Sequence, residues 1–239
     1  MNKITISDIT IDVVRKEIKN LHLSVNPPDG KIKIASPLRI DDEAIRLFAI
    51  SKISWIRKQQ NKFENQARQS ARGYVLGESH YLKGRRYLLN IIEEDNLKGS
   101  QIVVSNKHIN LYVRNGVSVE QKKKYFIEWY RKELKHEIPV LVDKWQKKIG
   151  VELNGWQVRQ MKTKWGSCNI ENKTILINLE LAKKPIICLV YIIVHELVHL
   201  LERYHNDRFI DLMNKYLPNW RFLREELNSF PISHGEWTY

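Results

Sequence analysis

The sequence predicts an α+β fold: a β-rich region with one helix over residues 1–115, a helix-dominated region over 116–230, and a short tail over 231–239. Three observations lead there. Short β-branched runs between turn residues fill the first half, among them Ile32-Lys33-Ile34 and Gln101-Ile102-Val103-Val104. After Asn115-Gly116 the apolar period changes from two to three and four. In the second half, the run from Ile186 to Val194 is apolar on every side and predicts a buried helix.

Taken in order, Ile4, Ile6, Ile9, Ile11 and Val13 alternate loosely and predict one strand with an irregularity near Asp8. Leu21 to Val25 and Ile32 to Ile34 flank the turn Asn26-Pro27-Pro28-Asp29-Gly30 and predict a hairpin ended by Pro37. Asp41 or Asp42 caps the helix that carries Leu47, Phe48, Ile50, Trp55 and Ile56. Its face of Arg57, Lys58 and Lys62 reads as solvated. Gly73 to Gly77 with Tyr81-Leu82 opens a second β region, followed by strands over 87–92, 101–104 and 108–113.

Ser118 with Gln121 caps a long helix, and Pro139 is expected to kink or divide it. Trp129 and Trp145 lie in its apolar stripe, so they read as core anchors rather than base-stacking platforms. Trp156 to Arg159 is a strand. Met161 to Cys168 and Thr174 to Leu181 follow as a strand pair joined by Asn169 to Lys173. Pro185 opens the buried helix, where its missing N–H costs nothing. Two further helices are expected, one over 207–216 burying Phe209, Ile210, Leu212 and Met213, the other around Trp220 to Leu227 beyond Pro218.

The buried helix carries His195-Glu196-Leu197-Val198-His199, an H-E-x-x-H pattern. Four residues apart on a helix, His195 and His199 point the same way and can grip one metal ion, with Glu196 beside them as a base. The competing reading is a pair of hydrogen-bonded core histidines and a buried glutamate ion pair. A third ligand favours the metal. His205 lies six residues after His199. Six steps of about 100° would turn it away on an unbroken helix. The helix therefore has to end near Arg203-Tyr204, with Asn206 taking the left-handed turn. Glu202 is the rival ligand, but its seven-residue separation from His195 is roughly 10 Å of rise, too far to share one zinc. His205 is the better choice.

The run Lys164-Trp165-Gly166-Ser167-Cys168, then Ile177-Asn178-Leu179-Glu180-Leu181, then His195 to His199 with His205 and Phe209, closely resembles the YgjP-like family of zincin metallohydrolases. Leu23-Ser24-Val25, Asp29-Gly30, Ala35-Ser36-Pro37, Trp55-Ile56 and Tyr81 to Tyr87 also fall where that family has similar stretches. The resemblance covers nearly the whole chain. It implies a zincin-like catalytic region over 116–230 and a zinc site of three histidines. Lys164 departs from the pattern, where arginine is expected before Trp-Gly-Ser-Cys, and a lysine cannot supply a bidentate contact.

These residues predict a zinc-dependent hydrolase, first of all a metallopeptidase. His195, His199 and His205 hold Zn2+, water takes the fourth position, and Glu196 removes its proton. A peptide laid along the 163–168 or 174–181 strand meets Trp165, Gly166 and Ser167 or Asn178, the candidate substrate-binding residues. The same activated water would serve a nucleotide pyrophosphohydrolase, but no Gly-rich phosphate loop is present. A zinc-stabilised module that binds nucleic acid or a protein partner is a third reading, and it leaves Glu196 without a role. His108, His136 and His234 are oxyanion donors by chemical type alone, and Cys168 lacks an identifiable base to make it a nucleophile.

Composition bounds the rest. The 239 residues are 43% hydrophobic, enough for a real core. Two cysteines, no apolar leader and no apolar run long enough for a bilayer predict a reduced, cytoplasmic protein without membrane contact. The net charge of +13 predicts weak, non-specific nucleic-acid binding, since the lysines are spread along the chain rather than blocked.

Overall fold

In the computed structural model, which describes residues 2–26, 30–64, 72–161 and 164–229, the chain opens with a hairpin of β1 (Asn2–Ile6) and β2 (Ile9–Lys16). One irregular strand was the expectation. The irregularity is a turn: Ser7 adopts a left-handed φ of 54°, and Ile6 pairs with Ile9 across it. Strands β3 (His22–Asn26) and β4 (Lys31–Pro37) form the expected antiparallel hairpin. Its Pro27-Pro28-Asp29 turn lies outside the described residues. The sheet order is β1-β2-β4-β3, with β2 parallel to β4.

The single helix expected next is two, α1 (Asp42–Ser51) and α2 (Ile53–Glu64). Asp41 caps α1 by accepting from the Ala44 N–H at 2.7 Å. The break at Lys52 follows from Ser51, whose hydroxyl bonds the Phe48 carbonyl at 2.7 Å and competes with the helix ladder. Ile11, Val13, Ile34, Ile45 and Ile56 lie in the core of this unit.

The second unit contains a sheet of β5 (Ser79–Leu82), β6 (Arg85–Glu93), β7 (Gln101–Val104) and β8 (His108–Val113), ordered β5-β6-β8-β7. Residues 73–77, expected to extend into it, make a turn in which Tyr74 and Gly77 have φ of 50° and 78°. Helix α3 (Val119–Ile149) begins at Ser118, whose hydroxyl accepts from the Gln121 N–H at 3.2 Å. It continues through Pro139 as one helix, so of the two outcomes expected there, a kink or a division, division does not occur. An interior proline costs about 3 kcal/mol. Burial of Leu134, Ile138, Val142 and Trp145 on either side outweighs that.

Leu89, Ile109 and Val113 of the sheet share one buried cluster with Phe126 and Tyr130 of α3. The compact units are Met1–Arg68 and Gln69–Tyr239. The same cluster continues into β9 (Gly155–Arg159), β11 (Thr174–Asn178) and α4 (Ile186–Val198). Strand β10 (Gly166–Asn169) pairs antiparallel with β11, and β11 pairs parallel with β9. The expected 174–181 strand stops at Asn178, and Leu179–Lys183 forms a 3-10 turn. Helices α5 (Asp207–Tyr216) and α6 (Trp220–Ser229) close the unit. Residues 231–239, expected as a tail, lie outside the described residues, as do Thr163 and His234. No helix among the described residues is long and apolar enough to cross a membrane.

Candidate metal centre

The start of α4 is fixed by the tip of the β5–β6 hairpin. Lys83 and Gly84 donate their N–H groups to the carbonyls of Ala182 and Lys183 at 2.9 and 3.1 Å. A Cβ on Gly84, where φ is +82°, would lie 2.8 Å from Pro185 Cγ, so only glycine permits this approach. From Pro185 the helix runs through the core, with Ile193, Val194, Leu197 and Val198 wholly buried.

The helix ends a turn sooner than the sequence suggested, at Val198 rather than near Arg203-Tyr204. Leu200 and Leu201 donate to Leu197 and Val198, three residues back, which tightens the last turn. Asn206 does not take a left-handed conformation. Its backbone is extended, at φ −90° and ψ −174°, and its side chain caps α5 by accepting from the Phe209 N–H at 3.0 Å. Helix end and new cap together swing His205 back over α4.

The ring nitrogens of His195, His199 and His205 thereby come within 4.8 Å of one another. His195 Nε2 and His205 Nε2 are 3.0 Å apart. Phe209 packs against all three rings at centroid distances of 5.0, 4.8 and 4.7 Å. His199 Nδ1 lies 3.1 Å from the Glu202 carbonyl oxygen, which fixes it as the protonated nitrogen and leaves Nε2 its lone pair. Burial pushes His195 down to about 3, with the other two histidines and Arg224 adding to the shift. Burial also lowers His199. His195 and His199 therefore favour the neutral imidazole, the form that binds metal. His195 Nε2 is the nitrogen turned toward His205, while Nδ1 is buried on the other side of the ring with no hydrogen-bond partner among the described residues. Three convergent imidazoles, with His205 exposed to solvent, suit a divalent metal ion with a position left open. The Glu202 carboxylate is turned onto its own loop, accepting from the Tyr204 N–H at 3.0 Å.

Glu196 is only 5% exposed. Burial drives its carboxyl up to about 8, and the nearby Lys164 charge opposes the shift. Strand β10 lies directly against it. A Cβ on Gly166 would stand 2.4 Å from Glu196 Oε1 and 2.8 Å from Ile192 Cγ2. The neighbouring Cys168 thiol is pushed up to about 11 by burial and by Glu196, which removes it as a nucleophile at neutral pH.

The four candidate substrate contacts separate. Ser167 lines an open cavity of about 800 Å³ over the outer face of the β9–β10–β11 sheet, where His199 also contributes. Gly166 is the contact with Glu196, and Trp165 is half-buried with the Lys184 ammonium 5.8 Å from its ring centroid. Asn178 is used within the chain. Its amide nitrogen donates to the Met161 and Lys164 carbonyls at 2.9 and 2.7 Å, and its oxygen accepts from the Glu180 N–H at 3.2 Å. It holds the entry to β10 rather than facing a ligand. His108 lies on β8, and His136 is 86% exposed beside Glu137, so neither joins the centre. Sequence reasoning missed Arg159 and Arg203 as walls of the cavity. Period-2 alternation along β9 would have put Gln157 and Arg159 on one face.

In structure, the chain is similar to the metallopeptidase zymogen abylysin of Pyrococcus abyssi, at 19% identity and a TM-score of 0.36 over 38% of this chain and 90% of that one. It is similar likewise to the metallopeptidase zymogen jannalysin of Methanocaldococcus jannaschii, at 22% identity and a TM-score of 0.35 over 38% of this chain and 92% of that one. Among curated proteins, none matches the chain by sequence. The family model described as YgjP-like, metallopeptidase domain, matches residues 19–230, nearly the whole chain and all three histidines with Glu196, and the protein therefore belongs to the YgjP-like metallopeptidase-domain family.

Proposed function

We propose that the chain is a zinc-dependent peptidase in which His195, His199 and His205 hold the ion and Glu196 is the general base. A zinc ion there supplies Lewis acidity toward water and toward a carbonyl oxygen. The carrying observation is the position of Glu196, buried on the helix that bears two of the histidines and pressed against Gly166 of β10. With its carboxyl raised to about 8, Glu196 stands close to its own titration point at neutral pH. It can accept a proton from the attacking water and return one to the leaving amine. Strand β10 pairs only with β11 among the described residues. Its other edge offers backbone donors and acceptors to an extended peptide, which would then run past Glu196.

The test is turnover by the zinc-loaded chain on peptides and on nucleoside triphosphates side by side, with Glu196→Gln as control. Peptide cleavage is expected, falling by at least about 100-fold in the variant while its zinc content is unchanged. Turnover of nucleotides alone would replace the peptidase reading with a pyrophosphohydrolase.

A further inference from the structure

The cavity beside His199 is lined by two arginines, Arg159 and Arg203, that form no ion pair among the described residues. Its floor is one face of the three-stranded sheet. Ser167, Leu176 and Gln157 stand in register across β10, β11 and β9. Two residues farther along β9, on the same face, is Arg159. The opposite face carries the wholly buried Ile175 and Ile177. The turn after α4, His199 to Leu201 with Arg203, lines the same cavity. Arg159 makes its hydrogen bond to the Gln157 amide oxygen at 3.2 Å, a neutral partner. Arg203 lies 5.8 Å from the Tyr204 ring centroid. Among the described residues neither forms an ion pair, and Glu171, which also lines the cavity, is paired with neither.

We infer that this cavity selects an anionic group of a peptide substrate, an aspartate or glutamate side chain or the free C-terminal carboxylate. The inference rests on the peptidase reading. A peptide paired along the open edge of β10 turns alternate side chains toward this face of the sheet. Strand β9 lies two strands, roughly 10 Å, from β10. A long substrate side chain crossing that span enters the cavity that the guanidinium groups of Arg159 and Arg203 both line. Guanidinium–carboxylate contacts of this kind are directional and strong for their size, so they discriminate against a neutral amide. Because the cavity includes His199, the selected group sits within a residue or two of the bond that faces Glu196.

The experiment measures kcat/KM of the zinc-loaded chain on one peptide with Glu, Gln or Lys at each position flanking the cleaved bond, with free and amidated C-termini. In parallel, fluorescence anisotropy follows binding of the same peptides to the Glu196→Gln protein. The variants are Arg159→Gln, Arg203→Gln and the double charge reversal Arg159→Glu with Arg203→Glu; both sites are on the surface, so folding is retained. A preference for Glu over Gln of about tenfold is expected at one position. It should collapse toward unity in either glutamine variant and turn toward Lys in the reversal. If amidation instead of the Glu-to-Gln exchange removes the preference, the recognised group is the C-terminal carboxylate. Equal use of Glu and Gln peptides, or a preference unchanged in the reversal, overturns the inference and leaves the peptidase reading standing. If no peptide is cleaved, the peptidase reading fails, and anisotropy still decides the cavity: acidic-peptide binding insensitive to both arginines overturns it.

Discussion

Gly166 and Glu196 touch: a Cβ on the glycine would fall 2.4 Å from Oε1 of the glutamate and 2.8 Å from its Cγ. The carboxylate end could swing aside, but Ile192 Cγ2, also at 2.8 Å, belongs to the packed body of α4. Glycine at 166 is thus what lets β10 approach the helix closely enough to bury Glu196. Gly166→Ala should lower stability by about 1–3 kcal/mol, as overpacking does. It should also reduce turnover by displacing Glu196. Urea midpoints and kcat on a common substrate check this. Since the two residues are in contact, the cost of Gly166→Ala together with Glu196→Ala should be less than additive.

His205 and Glu202 compete for the role of third metal ligand, and only His205 stands with the other two histidines. His205→Ala should weaken zinc far more than Glu202→Ala. The Glu202 carboxylate caps its own loop, and its carbonyl, which survives the substitution, orients His199. A change within about tenfold is expected there, as for an outer partner. Equilibrium competition with a chelator on the two single variants measures the difference, and zinc lost from Glu202→Ala but kept by His205→Ala would reverse the assignment.

His80 lies far from the centre in sequence and is 1% exposed, stacked on Phe126 at a centroid distance of 4.5 Å. Burial, with the charges of Arg72 and Lys183, pushes it down to about 3 from 6.5. Its folded value is below its unfolded value, so its contribution is present above pH 6.5 and is lost as pH falls toward 3. In that window the unfolded chain binds the proton more readily, and stability should fall by up to about 1.4 kcal/mol per pH unit from this group. Denaturant titrations between pH 4 and pH 7 should show a shallower slope in His80→Gln than in the parent chain. An unchanged slope would mean that His80 is not the group responsible.

The net charge of +13 should give weak nucleic-acid binding with little sequence preference. Counterion release makes such affinity fall steeply with salt. Anisotropy with single- and double-stranded oligonucleotides over a salt series measures it, and no binding at low salt would exclude the role.

Much of the local structure was legible because it depends on residues close in sequence. The Asp41 and Ser118 caps, the β3–β4 hairpin and the strands 101–104 and 108–113 follow from turn chemistry and alternation. The spacing of His195 and His199 on a helix of uniform hydrophobicity carried the centre itself. Errors arose where a local signal was outweighed or had more than one outcome. The irregularity near Asp8, expected within one strand, is a hairpin turn between two. Pro139 does not divide its helix, whose flanking residues are buried. Asn206, suited to a left-handed turn, is also a good N-cap, and the tertiary fold uses it as a cap.

The sequence by itself determined which atoms are available: three imidazoles, one glutamate and a glycine, placed on segments whose periodicity makes them helix or strand. The tertiary structure decided what those atoms face. Whether His205 returns to the cluster depends on where α4 ends and where α5 begins. Whether Glu196 is buried depends on how closely β10 packs, and the lining of one cavity by Arg159 and Arg203 joins residues from a strand and a distant turn. Periodicity reports the neighbours a residue has within its own element. Burial, proton affinity and ligand geometry come from neighbours on other elements, and those are fixed only when the chain has packed.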